Sequence, residues 1–181
     1  MDKKSIQLGI ETLKNKEVIL EKLGIFFLLA THIEKTLAEY IYKKTGNDQF
    51  RDKPLGPKEI EFNRIIVSYT LNYYNNITSL LKSFRERRNG ITHKTLIIDP
   101  HYFENALSIN WHDDNSMNKN LSDEVSIEGY VNFLNDSIDI DRDLLLELVT
   151  LFLFEGISEE EFNKSKDMLK EKPFCFNNKH C

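Results

Sequence analysis

Cysteine is nearly absent: Cys175 and Cys181 are the only two in 181 residues. Two cysteines six positions apart cannot staple a domain of this size, which argues against a secreted, disulfide-built scaffold. Glycine and proline are also scarce, at 7 and 4, so few points oblige the chain to turn and regular structure should dominate. Long hydrophobic runs are missing. The most apolar stretch, Leu23 to Ala30, is far too short to cross a bilayer. The opening Met-Asp-Lys-Lys-Ser leads into no apolar signal core. These features set the expectation of a cytoplasmic chain without membrane association. A basic surplus is lacking too. Lys and Arg total 24 against 29 Asp and Glu, a net charge of -5 that by itself argues against a strongly basic nucleic-acid binder.

What is present points to a packed core. Apolar residues make up 40% of the chain and aromatics 11%, including 12 Phe and 7 Tyr, far richer than a disordered chain. The length suits one compact domain better than two independent ones. Charge, however, is segregated along the chain. Residues 1–98 carry 17 positive and 11 negative side chains, residues 99–161 carry 2 and 16, and residues 162–181 carry 5 and 2. Arguments about partners therefore rest on segments rather than on the total.

The hydrophobic pattern is helical. Ile19, Leu23, Phe26, Ala30, Ile33, Leu37 and Ile41 recur in steps of three and four, predicting a long helix over 17–44, with Phe27, Leu28 and Leu29 widening its apolar stripe. Residues 3–15 read as a separate, shorter helix. Residues 45–58 hold two Pro and two Gly and read as a loop. A second helical region starts near Pro57, with a kink expected at Tyr73-Tyr74-Asn75-Asn76, and runs on to Arg88. Gly90 is a weak point. Residues 96–122 show no period and read as a long irregular connection. Helices are expected over 127–136 and 140–155, with Ser126 (or Asp123) and Asp139 as caps. Ser158 followed by Glu159, Glu160 and Glu161 marks the start of a short polar helix. The expected class is all-α, an antiparallel bundle with one helical domain over 1–161 and a helix end and tail over 162–181.

One cluster stands out: Lys82, Arg85, Arg87, Arg88, His93 and Lys94, with Glu86 the single acid among them. Cations near a helix C-terminus are favoured by the helix dipole, which accounts for Lys82 and Arg85. It accounts less well for Arg88, which continues the apolar stripe Ile77, Leu81, Phe84 toward Ile91. An arginine in that register should be paired or face another subunit.

The run Arg88-Asn89-Gly90-Ile91-Thr92-His93 resembles the R-x4-6-H signature of the HEPN superfamily, in the form with a polar residue directly after the Arg. The likeness covers 88–93 as a motif and roughly 15–155 as an architecture. It implies an HEPN-like helical bundle and metal-independent RNA cleavage by a homodimer whose two motifs face each other. It also implies a bacterial defence or toxin–antitoxin setting with a possible antitoxin partner. The alternative within the same resemblance is a non-catalytic RNA- or protein-binding module. One departure matters: a toxin branch of the superfamily carries Tyr two residues after the His, and Thr95 stands there in this chain. Regulation that depends on that Tyr is not carried over.

The residue types fit the chemistry. RNA carries its own nucleophile, the 2'-OH. Cleavage needs a group that moves protons near neutral pH, which His93 supplies, and a fixed cation for the phosphate, which Arg88 supplies. Asn89 can orient either group. Arg85, Arg87, Lys82 and Lys94 are the expected RNA contacts. On an ideal helix Arg88 and His93 point about 140° apart, so bending at Gly90 or pairing across a dimer is needed to bring them together. No cofactor and no metal are expected. His32 reads as a partly buried histidine, and Glu34 and Glu39 as a solvated helical face. His101 and His112 near Asp99, Asp113 and Asp114, and Cys175, His180 and Cys181 near the end, have metal-ligand composition without a fixed spacing. The acidic 99–161 segment offers a surface for a basic partner, the pattern of an immunity or antitoxin-like component.

Overall fold

The computed structural model describes residues 3–67, 69, 71–93, 106–110 and 122–171. The described fold is helical: α1 spans Lys3–Thr45, α2 Leu55–Ile66, α3 Asn72–His93, α4 Ile127–Phe154 and α5 Glu159–Glu171. A short 3-10 turn, Asp48–Phe50, lies in the expected loop. Strands β1 (Ala106–Asn110) and β2 (Ser122–Ser126) pair antiparallel, Ala106 opposite Ser126 and Asn110 opposite Ser122. This hairpin corrects the reading of 96–122 as irregular throughout. Its strands are only five residues long, and the alternation of Leu107 and Ile109 with Ser108 and Asn110 is too short to stand out as a period.

Three helix boundaries also differ from expectation. Residues 3–15 do not form a helix of their own but open α1. No Pro or Gly pair separates the two stretches, so nothing stops the helix. The break in the second helical region falls between Ile66 and Asn72, before the tyrosines, which instead occupy the first turns of α3. Pro57 does lie in the first turn of α2. The proposed interruption at Asp139 is absent, and α4 runs through it. Residues 137–139 are not a loop, because Ser137 and Ile138 are buried on one helical stripe with Tyr130, Leu134 and Asp141.

The contacts divide the chain into two compact units: Met1–Ala30 with Ser83–Asp141, and Thr31–Lys82 with Arg142–Cys181. In the first unit the core comprises Ile19, Phe26, Leu29 and Ala30 from α1, Phe84 from α3, and Tyr130, Leu134 and Ile138 from α4. Phe27 and Leu28 are exposed, so the α1 stripe is narrower than expected. In the second unit Ile33, Leu37, Tyr40 and Ile41 of α1, Phe62 of α2, Tyr74, Ile77 and Leu81 of α3, and Leu144, Leu148 and Leu151 of α4 form the core.

The second unit also holds α5, which begins just after Ser158 as expected and runs on to Glu171. Phe162 is fully buried and stacks on Tyr73, with centroids 4.2 Å apart and planes 2° from parallel. Lys166 Nζ donates to Glu147 Oε1 at 2.7 Å, and Asn76 Nδ2 donates to the same oxygen at 3.1 Å. The start of α5 is a capping box. Ser158 Oγ accepts from the Glu161 amide at 3.3 Å, while Glu161 Oε2 accepts from the Ser158 amide at 3.0 Å. Between α4 and α5 the turn passes through Gly156 at φ 83, the left-handed region where a side chain is strained.

Candidate functional site

The motif occupies the last turns of α3. Arg85, Arg87, Arg88, Asn89 and His93 belong to the first unit, whereas Lys82, which is exposed, belongs to the second. His93 is the last residue of α3. Lys94 lies outside the described residues. Within the first unit Asn89 is exposed, and Arg85 and Arg88 are half-buried. The helix stays intact across Gly90, where an added Cβ would meet nothing within 4 Å. Thr92 Oγ1 donates to the Arg88 carbonyl one turn back, as expected of an unbroken helix. A bend at Gly90 is therefore not how Arg88 and position 93 meet. They stay about 140° apart on the ideal helix.

Arg87 takes a different role from the one expected of it. Its side chain is only 12% exposed, and Nη2 is ion-paired with Asp141 Oδ1 on α4, a carboxylate with no exposed surface. Nη1 donates to Ser83 Oγ at 2.5 Å, one turn back on α3. Burial pushes the Asp141 carboxyl above its ordinary range, and the Arg87 guanidinium draws it back down. Arg87 is thus an internal contact rather than an RNA-facing one. A guanidinium committed to a buried acid has little left to offer a phosphate. Arg87 Nε and Asp141 Oδ2 are both buried without a hydrogen bond. Sequence reasoning missed Asp141 because it stood at the start of the helix expected over 140–155, cut off by the expected break from the stripe that precedes it. The spacing Tyr130, Leu134, Ser137, Ile138, Asp141 was the signal that places it on a buried stripe.

Glu34 approaches Lys58 at 3.9 Å and Glu39 pairs with Arg51 at 3.2 Å, all within the second unit. His32 is half-buried. In the same unit Tyr40 Oη donates to Glu155 Oε1 at 2.7 Å, and Lys44 reaches that oxygen at 2.5 Å. Burial and the Glu155 carboxylate push the Tyr40 hydroxyl upward, so it serves as a donor and not as a proton source. Among the described residues no group of three or more His, Cys, Asp or Glu is placed to hold a metal. Asp99, His101, His112, Asp113, Asp114, Cys175, His180 and Cys181 lie outside them. Among the described residues no helix is long and apolar enough to cross a membrane. No protein-family model matches the chain, and neither a curated protein nor a solved structure matches it.

Proposed function

We propose that this chain is a metal-independent endoribonuclease of the HEPN type, cleaving RNA at a cleft shared by two copies in the cytoplasm, in a bacterial defence or toxin–antitoxin setting. The observation that supports this most is the position of Arg88, Asn89 and His93 on the closing turns of an unbroken α3. An unbroken helix keeps the arginine and histidine positions on different faces. A second copy supplies the missing half of each constellation.

In this reading Arg88 holds the scissile phosphate through paired donors. One copy's His93 takes the proton from the 2'-OH. The 2'-oxygen attacks the adjacent phosphorus, and the bond to the 5'-oxygen breaks. The other copy's His93 returns a proton to that 5'-oxygen. The products are a 2',3'-cyclic phosphate and a 5'-hydroxyl. Asn89, exposed one residue after Arg88, steadies a phosphate oxygen or the histidine. Arg85, Lys82 and Lys94 meet flanking phosphates; Arg87 does not, because Asp141 holds it.

Growth on expression separates the enzyme from a binding module. The wild type should arrest growth, and Arg88→Ala should relieve the arrest at equal protein level. An inert, well-expressed wild type that binds RNA in a salt-sensitive way would replace the enzyme with a binding module.

A further inference from the structure

The Arg87–Asp141 pair is a poor device for stability. Replacing a buried ion pair by apolar residues of similar volume is often neutral or stabilising. Here Arg87 Nε and Asp141 Oδ2 are buried and unbonded besides, which adds desolvation cost without return. What the pair provides is direction. Arg87 is held from two sides, by Asp141 on α4 and by Ser83 on its own helix. Successive residues on a helix stand roughly 100° apart, so pinning position 87 pins the rotation of α3 about its axis. The directions taken by Arg88 and Asn89 follow from that rotation.

We propose that Asp141 is a positioning residue for the Arg88–His93 motif: by holding Arg87 inside the first unit it sets the angle at which the end of α3 presents the motif. The proposal rests on the ribonuclease reading for its chemistry and on the α3–α4 contact for its geometry. Asp141 touches no substrate in this scheme and acts only through Arg87. Misplacement of a catalytic group by about 1 Å can cost a hundredfold in rate, so a clamp of this kind need not contact RNA to matter.

The test pairs Arg87→Met with Asp141→Leu, which removes the clamp and leaves no buried charge. Asp141→Asn is the second variant, should the double change fail to fold. Three readouts are taken: RNA cleavage in EDTA, melting temperature, and amide hydrogen exchange of residues 88–93. The double variant should melt within a few degrees of wild type. Its kcat should fall roughly tenfold to a hundredfold with KM changed less than about threefold, and exchange at 88–93 should quicken. Arg87→Lys, which keeps a cation opposite Asp141, should recover part of kcat. A double variant with wild-type kcat and wild-type exchange overturns the proposal. A wild type that cleaves no RNA overturns the ribonuclease reading instead. The exchange data then decide the clamp alone, and unchanged exchange at 88–93 overturns it.

Discussion

Phe162→Ala should cost the second unit about 3–5 kcal/mol, the usual range for emptying a buried phenylalanine site. The side chain has no exposed surface and lies flat on Tyr73, 4.2 Å between ring centroids. A buried aromatic removes roughly 150–250 Å² from water, which at about 25 cal/mol per Å² corresponds to about 4–6 kcal/mol as an upper bound. Alanine keeps a fraction of that, and partial collapse of the site recovers some more. With a urea dependence of about 2 kcal/mol per molar, the midpoint should drop by about 1.5–2.5 M. Phe162→Leu keeps most of the apolar volume but loses the stacked ring, and should cost about 1–2 kcal/mol. The assay is urea denaturation followed by circular dichroism, with hydrogen exchange across α5 to locate the loss. A cost below about 1 kcal/mol for Phe162→Ala would refute the reasoning. It would mean that α5 is an appendage after all.

Four other outcomes follow from the same contacts. Asp141→Ala should destabilise by about 3–5 kcal/mol in denaturant titration because it strands the Arg87 guanidinium, whereas Arg87→Met with Asp141→Leu should be near neutral. The Asp141 carboxyl is raised from an ordinary 3.8, so its share of stability is complete below that pH and is lost as pH rises through the folded value; Glu161, lowered from 4.5 by Ser158, contributes stability above 4.5 that is lost as pH falls. Urea midpoints between about pH 3 and about pH 6 should therefore change slope in opposite senses for Asp141→Asn and Glu161→Gln. Ser158→Ala should cost about 1 kcal/mol by thermal melting through loss of the α5 cap. Gly90→Ala should stabilise by about 0.5–1 kcal/mol and leave cleavage unchanged, since the site has room and no bend is needed there.

The helical class was legible because its signal is long and redundant. The α1 stripe from Ile19 to Ile41 repeats over six turns, and Phe26, Ala30, Ile33, Leu37 and Ile41 are all buried as the spacing requires. The Ser158 cap was legible because its chemistry is local. Features that failed depend on distant partners. Residues 137–139 look like a break until Ser137 and Ile138 are seen on one buried stripe with Asp141, which pairs with Arg87. Phe162 sits alone in an acidic and basic stretch, and nothing nearby in sequence announces Tyr73 as its partner. Arg87 and Arg88 are adjacent and chemically identical, so sequence cannot say which one meets Asp141. Lys82, Arg85, Arg87 and Arg88 fall on α3 as the helical pattern required, while the pairing of Arg87 with Asp141 depends on a helix distant in sequence.

The net charge of -5 no longer weighs against RNA. Arg85, Arg88 and Asn89 share the closing turns of one helix, and a cleft needs only local charge. The measurement that bears most directly on the account is cleavage of a generic RNA in excess EDTA, comparing wild type with Arg88→Ala and His93→Ala. The account predicts wild-type cleavage that leaves 2',3'-cyclic phosphate and 5'-hydroxyl ends, and near-complete loss in both variants. Cleavage that persists in either variant, or that EDTA abolishes in the wild type, would contradict it.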